Sequence, residues 1–159
     1  MSSGLALISA GALTDTYTST TKIGVAEDGD VQWRNGKLYK FVKITIQDIL
    51  VNEVLYPVST DGVDMTTDYS AALSVKVGAV ALGTVDISVA PYAWVQVCQA
   101  GTYGTARGDG AVAAGEAVIG DTAVDGEADT MAAGEEHLVF GFAMAADAGT
   151  PDSFAVQFA

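Results

Sequence analysis

The most regular pattern of apolar and polar positions lies in the middle of the chain, at residues 91–100. An extended strand there places larger side chains on one face and small apolar ones on the other: Tyr92, Trp94, Gln96 and Cys98 against Ala93, Val95 and Val97. Both faces are mostly apolar, so both must be covered. The pattern therefore predicts a central strand of a β-barrel or β-sandwich.

Shorter alternating segments flank this strand on both sides. Asn35-Gly36 predicts a tight hairpin, because this pair suits a turn with two positive φ angles. Near the end of the chain, alternation predicts two single-faced apolar sets: Leu138, Phe140, Phe142 and Met144, then Phe154, Val156 and Phe158. Short strands separated by glycine turns, without a long amphipathic helix, predict an all-β fold, either an antiparallel β-barrel or a β-sandwich.

The first 16 residues lack this periodicity. They are rich in Ser, Thr, Gly and Ala, and we interpret residues 1–16 as an extended N-terminal arm ahead of a single all-β domain at residues 17–159. Four apolar residues of the arm make docking onto a partner a second possibility beside a frayed terminus: Leu5, Leu7, Ile8 and Leu13.

The charge balance is strongly acidic, with 20 acidic and 7 basic residues and a net charge of −13. Such a chain is a poor direct partner for nucleic acid or an anionic membrane, since both recruit clustered Lys and Arg. Only one local basic group occurs: Arg34, Lys37, Lys40 and Lys43. Beyond residue 100, Arg107 is the single basic residue. No apolar run approaches the ~20 residues of a membrane span, and no basic region precedes the apolar residues of the arm.

Candidate catalytic groups are few. His137 is the only histidine, and we interpret it as a solvated residue at a strand start rather than an acid or base. No nucleophile motif or metal-ligand spacing occurs, so we expect no enzyme activity, no cofactor and no catalytic metal. Cys98 is the only cysteine, and we expect it to be buried rather than reactive.

Two short motifs leave alternatives open. Residues 121–129 are dense in carboxylates but lack a calcium-loop pattern, so they indicate a solvated acidic loop, with divalent-ion binding as the alternative. Arg107-Gly108-Asp109 spells the tripeptide that integrins recognise, in a segment that its glycines indicate is an exposed loop. Three-residue matches are common by chance, and we do not favour cell adhesion.

Five short motifs occur in a fixed order along the chain: Asp28-Gly29 and residues 36–43, 92–97, 113–118 and 139–144. This series resembles the small capsid decoration (cement) proteins of tailed bacteriophages. Ala93 departs from it, since the family motif often has Gly before the Trp. The resemblance implies an all-β protein, often a homotrimer, that sits on the outside of an icosahedral head and bridges neighbouring major capsid proteins.

The resemblance thus leads us to expect a structural virion protein, made in the host cytoplasm and attached to the outer capsid surface, that is not an enzyme. Its candidate partner contacts are the exposed or terminal apolar residues: Leu5, Leu7, Ile8, Leu13, Trp33 and Tyr39. The alternative is a carbohydrate-binding or receptor-binding module of a phage fibre or appendage, with Trp33, Tyr39 or Tyr92 as stacking platforms. An enzyme with a site of scattered Asp and Glu is a third hypothesis.

Overall fold

Strands and turns account for all the regular structure in the computed structural model, which describes residues 13–18, 27–74, 76–147 and 152–159. Those residues contain no α-helix, and their strands are β1 Thr16–Tyr17, β2 Val31–Arg34, β3 Lys37–Ile44, β4 Val54–Pro57, β5 Asp64–Thr66, β6 Ala79–Ala81, β7 Tyr92–Val97, β8 Tyr103–Gly108, β9 Ala117–Gly120, β10 Ala128–Thr130, β11 Gly141–Ala143 and β12 Asp152–Phe158. Two 3₁₀ turns lie at Tyr69–Ala71 and Glu136–Leu138. The predicted all-β fold is confirmed.

The strands close into two five-stranded barrels. In barrel 1, β3 pairs with β7, β7 with β6, β6 with β4, β4 with β5, and β5 with β3 again. Strand β1 adds to β7, and β2 adds to β3. Barrel 2 runs in the order β10, β8, β12, β11, β9, and the β9–β10 pair closes it.

The expected antiparallel arrangement is correct for all but two pairs of described strands. Strand β3 is parallel to β5, and β8 is parallel to β10. A closed ring with an odd number of strands cannot alternate direction all the way round, so at least one neighbouring pair in each barrel must be parallel. The mixed orientation is thus a consequence of closing five strands into a ring.

One apolar core joins the two barrels. Barrel 1 has its own interior, which includes Val42, Ile44 and Leu55. The outer faces of β4 and β6 belong to a second cluster, in which Tyr56 and Val80 pack with the interior of barrel 2. Strand alternation explains this division, because successive side chains of β4 point to opposite faces. The two barrels are therefore packed on a shared hydrophobic core.

The central strand and the hairpin are confirmed. Strand β7 buries side chains on both faces, with Val95 inside barrel 1 and Trp94 in an aromatic cluster outside it. The hairpin between β2 and β3 turns at Asn35 and Gly36, whose φ angles are 52° and 75°. These two positive angles match the right-handed twist of the flanking strands.

The N-terminal segment is described from residue 13 onward. Strand β1 pairs with β7 through Thr16 and Ala93, and Leu13 packs on the aromatic cluster of barrel 1. The backbone of Thr14 lies so close to Gly83 that a Cβ there would be 2.8 Å from the Thr14 carbonyl oxygen. The predicted end of the arm at residue 16 thus falls within β1. The other three apolar arm residues, Leu5, Leu7 and Ile8, lie outside the described residues.

Candidate interaction surfaces

Barrel 2 carries an exposed patch of uncharged side chains on its outer face. On neighbouring strands Tyr103 lies opposite Gln157, and Gln157 lies opposite Phe142, so the three side chains form a row across β8, β12 and β11. Met144 follows Phe142 by two residues and lies beside Ala155. The Met144 amide donates to the Ala155 carbonyl oxygen over 2.7 Å. The exposed fractions of Tyr103, Phe142 and Met144 are 50%, 46% and 52%. We define the barrel-2 face by the outward-facing residues at these positions: Tyr103, Thr105, Phe142, Met144, Ala155 and Gln157.

The expectation that Phe142 and Met144 share a face with Leu138 and Phe140 is wrong. Leu138 ends a 3₁₀ turn and Phe140 is fully buried, whereas Phe142 is exposed. Gly141 is the cause, since it faces inward at the point where β11 meets β12. A Cβ there would lie 2.6 Å from the Gln157 carbonyl oxygen and from a Val156 methyl group. Two consecutive inward residues, Phe140 and Gly141, reverse the alternation that follows. In the β12 set, by contrast, the expected single face is confirmed: Phe154, Val156 and Phe158 are all buried.

The β2–β3 hairpin carries a second exposed surface. Val31 lies opposite Lys40, and Trp33 lies opposite Leu38, so these four side chains share one face of the hairpin. Val31 is 59% exposed and Trp33 is 61% exposed. The Lys40 ammonium donates to the carbonyl oxygens of Asp61 and Gly62, each over 2.8 Å. We call Val31, Trp33, Leu38 and Lys40 the hairpin surface.

The hairpin also concentrates positive charge. Arg34 and Lys37 lie opposite each other beside the turn, and Lys43 lies further along β3. Among the described residues, the ion pairs within 4.0 Å all involve Arg107, so none of the hairpin cations has a carboxylate partner at that distance. Lys40 nevertheless interacts with Asp61 and Lys43 with Asp28 at longer range, so part of this positive charge is offset within the chain.

The structure does not assemble Trp33, Tyr39 and Tyr92 into a stacking platform. Tyr39 lies on the opposite face of the hairpin from Trp33 and is buried against Phe41 and Trp94. Tyr92 stacks on Phe41 with ring centroids 6.2 Å apart. Two of the three aromatic rings thus pack against the barrel, and the carbohydrate-binding alternative is not favoured.

A charged cluster links the two barrels. The Arg107 guanidinium lies 3.3 Å from a Glu127 carboxylate oxygen and 3.5 Å from a Glu53 carboxylate oxygen. Glu53 belongs to barrel 1, and its second oxygen accepts the Leu50 amide over 2.7 Å. All three charged side chains are mostly buried. Removing one of these side chains would therefore leave a mostly buried charge without its partner, which destabilises the fold.

This arrangement corrects the interpretation of residues 107–109 as an exposed loop. Arg107 and Gly108 lie in β8, and the Arg107 side chain is engaged by the two glutamates. A Cβ on Gly108 would overlap the carboxylate of Asp147, so Gly108 is required for close packing. The tripeptide is thus a structural part of barrel 2.

Residues 121–129 are docked on barrel 1 rather than solvated throughout. The Asp125 carboxylate accepts the Tyr69 amide over 3.2 Å and the Gln47 side-chain amide over 3.3 Å. Asp121 and Glu127 are buried, and β10 begins at Ala128. In the described part of the chain, no group of three or more His, Cys, Asp or Glu side chains is arranged to hold a metal ion.

The remaining candidate groups belong to neither surface. His137 is exposed in the 3₁₀ turn Glu136–Leu138. Cys98 is half-buried beside the shared core, where burial raises the pKa of its thiol and favours the uncharged form. Within the described residues, no helix has the length and apolar character needed to cross a membrane.

The buried position of Glu53 gives a testable pH dependence. Burial raises the pKa of this carboxyl, although the Leu50 amide and Arg107 oppose the shift. A raised pKa in the folded state means that ionised Glu53 lowers stability above that pKa, and that this cost disappears as the pH falls toward the unfolded value of about 4.3. The unfolding free energy of the wild type should therefore rise relative to that of Glu53→Gln between about pH 7 and about pH 4.5.

Urea denaturation of both proteins across this range measures the difference. Glu136→Gln is the control, because amide hydrogen bonds of Glu136 and Gly134 lower the pKa of that exposed carboxyl. Its stability difference should stay nearly constant over this range, since a lowered pKa contributes stability that is lost only below the unfolded value of about 4.3. A gap between wild type and Glu53→Gln that stays constant with pH would contradict the burial of an ionisable Glu53.

No protein-family model matches this chain, and no curated protein resembles it in sequence. Among solved structures, the chain is similar to the crystal structure of the head fiber gp8.5 N base in bacteriophage phi29. The TM-score is 0.54 at 14% sequence identity, and the match covers 76% of this chain and 92% of that chain. At this identity, the similarity shows that the two proteins share a fold.

Proposed function

We propose that this protein is a structural component of a tailed-bacteriophage virion, attached to the outer surface of the head, where it bridges neighbouring major capsid proteins. The observation that carries the proposal is the fold shared with the head fiber base of phi29, which extends over 92% of that chain. The motif series resembling capsid decoration proteins points the same way. In this proposal the protein acts by binding and assembly, without turnover of a substrate.

Its surface suits a protein present in many copies on a shell. With a net charge of −13, neighbouring copies repel one another away from their contacts and stay soluble at high local density. We propose a homotrimer as the working unit, because three copies of one binding mode on a local threefold act with a high effective concentration. Synthesis in the host cytoplasm and assembly onto the mature head complete the proposal, with no direct role for nucleic acid or membrane.

Co-sedimentation with purified, undecorated capsids tests this function. We expect the protein to pellet with capsids at about 0.05 M salt and to remain bound at about 0.5 M, because an apolar seat is not screened. Capsids that already carry the protein are the control, since their sites are occupied. Failure to co-sediment at either salt concentration would overturn the proposed attachment.

A further inference from the structure

We propose that Asn35 is a site of spontaneous deamidation, in which the backbone amide of Gly36 is the nucleophile and water is the second reactant. The modification replaces the Asn35 carboxamide with a carboxylate at the tip of the β2–β3 hairpin. It needs no capsid and no second copy of the chain, so it goes beyond the proposed function and is tested independently of it.

The reaction balances without an oxidant or a reductant. The Gly36 amide nitrogen loses its proton and attacks the side-chain carbonyl carbon of Asn35. The new C–N bond closes a five-membered succinimide ring, and the carboxamide nitrogen leaves as ammonia. Water then opens the ring at one of its two carbonyl carbons. Attack at the side-chain carbonyl gives aspartate, whereas attack at the main-chain carbonyl gives isoaspartate, in which the backbone continues through the former side chain.

The turn leaves both reacting groups accessible. Asn35 and Gly36 are exposed, and none of the hydrogen bonds within the described residues engages the Asn35 carboxamide. A Cβ on Gly36 would meet no atom within 4 Å, so the space beside this glycine is open. In a two-residue hairpin turn the backbone hydrogen bond joins the flanking residues, here Arg34 and Lys37, which leaves the amides of the turn itself free.

The aspartate–glycine pairs of the chain could form the same ring, but the fold engages them. In three pairs the glycine amide is already donated: Gly29 to the Phe41 carbonyl oxygen over 2.9 Å, Gly62 to the Ser59 carbonyl oxygen over 3.0 Å, and Gly110 to the Asp147 carboxylate over 2.6 Å. In the fourth pair the Asp125 carboxylate is held by Tyr69 and Gln47. An amide that is already hydrogen-bonded must lose that bond before it can attack.

The second asparagine of the chain provides an internal reference. Asn52 also has a positive φ, 68° against 52° at Asn35. Its carboxamide, however, donates to the Ser153 hydroxyl over 3.1 Å, and the amide that follows it, that of Glu53, donates to the Leu50 carbonyl oxygen over 3.4 Å. Glu53 is also buried and carries a side chain that hinders its nitrogen. The same protein thus contains one accessible and one protected asparagine.

Deamidation changes both the charge and the backbone of the hairpin. It makes the net charge one unit more negative than −13 and reduces the positive charge around Arg34 and Lys37. Isoaspartate in addition inserts a methylene group into the backbone of the two-residue loop, which fixes the pairing of Trp33 with Leu38. The hairpin surface of aged protein therefore differs from that of newly made protein.

Incubation of the native wild-type protein at mildly alkaline pH tests the proposal. Cleavage after Trp33 and Tyr39 isolates residues 34–39, and mass spectrometry of this peptide separates its asparagine, aspartate and isoaspartate forms. We expect Asn35 to be converted at least about tenfold faster than Asn52 in the same sample. The rate should rise with pH, because the attacking nitrogen must first lose its proton.

Two variants check the chemistry. Asn35→Gln requires a six-membered ring, and Gly36→Ala places a methyl group beside the attacking nitrogen, so each should slow conversion at position 35 at least about tenfold. Since φ at Gly36 is 75°, alanine is strained there, and Asn35→Gln keeps the test independent of that strain. Circular dichroism and thermal melting of each variant check that it is folded.

An Asn35 that stays unmodified in the native protein while the urea-unfolded chain deamidates would overturn the proposal, because the folded turn would then hold the two groups apart. Equal rates at Asn35 and Asn52 would overturn it as well, since the reaction would then not depend on the exposed turn. Neither outcome bears on attachment to the head, which co-sedimentation with capsids measures separately.

Discussion

Replacing Arg107 with methionine is expected to lower the free energy of unfolding by about 3 kcal/mol, because it leaves two mostly buried carboxylates without their cation. Glu53 and Glu127 come from different barrels, so their mutual repulsion would act across the boundary between the two. The Leu50 amide alone would remain to stabilise the charge of Glu53. Equilibrium denaturation in urea at pH 7 measures the loss.

Two further variants show whether charge causes this loss. Arg34→Met is the matched control, since Arg34 is exposed and its removal should change the unfolding free energy by less than about 0.5 kcal/mol. Adding Glu53→Gln and Glu127→Gln to Arg107→Met should recover part of the stability, because no unpaired charge then remains. An Arg107→Met protein as stable as wild type would show that the cluster does not hold the barrels together.

The parts of the fold that the sequence predicts correctly are those where local chemistry is decisive. Strand β7 was predictable because both of its faces are apolar, and the hairpin because Asn35-Gly36 suits positive φ at both positions. Strands β5 and β8 were missed. Asp64–Thr66 has two polar residues of three, and the inward positions Gly104 and Gly108 of β8 carry no apolar side chain.

The two exposed surfaces show the same contrast between features set by local chemistry and features set by packing between distant residues. Trp33 was predicted to be a partner contact, and the structure leaves its side chain 61% exposed beside the tight turn. Phe142 was placed on the same face as Leu138 and Phe140, since a strict alternation from Leu138 does not include the close approach at Gly141. Which faces of the two barrels meet depends on residues far apart in the chain, such as Tyr56 and Phe158, and local pattern holds no information on it.

The packing between the barrels also bears on function. The proposed bridging of neighbouring capsid proteins requires that the surfaces of one copy keep a fixed geometry, and a loosely linked pair of barrels would lose that preorganisation. The shared core, the Arg107 cluster and the docked Asp125 each connect barrel 1 to barrel 2. Substitutions that loosen this boundary should therefore weaken the proposed attachment even when the contacting side chains are intact.

Gly120→Ala is the most direct test of that packing, and we expect it to lower the free energy of unfolding by about 3 kcal/mol. Gly120 lies in β9 of barrel 2, and a Cβ there would overlap the hydroxyl of Tyr56 from barrel 1, as well as lying 2.7 Å from Tyr56 Cζ and 3.0 Å from a Val77 methyl group. Tyr56 is fully buried and packs edge-on against Tyr69 at a centroid distance of 5.6 Å, so it has little room to move away. The methyl group must instead displace one barrel from the other.

The matched control is Gly78→Ala, at the start of β6. A Cβ on Gly78 meets its nearest neighbours at 3.5 Å and 3.6 Å, which is ordinary contact, so this substitution should cost less than about 1 kcal/mol. Tyr56→Phe in the Gly120→Ala background should recover part of the loss, because it removes the overlapping hydroxyl, for which the described residues provide no hydrogen-bond partner. Equal melting temperatures for Gly120→Ala and Gly78→Ala would mean that the two barrels are not packed as tightly as the shared core requires.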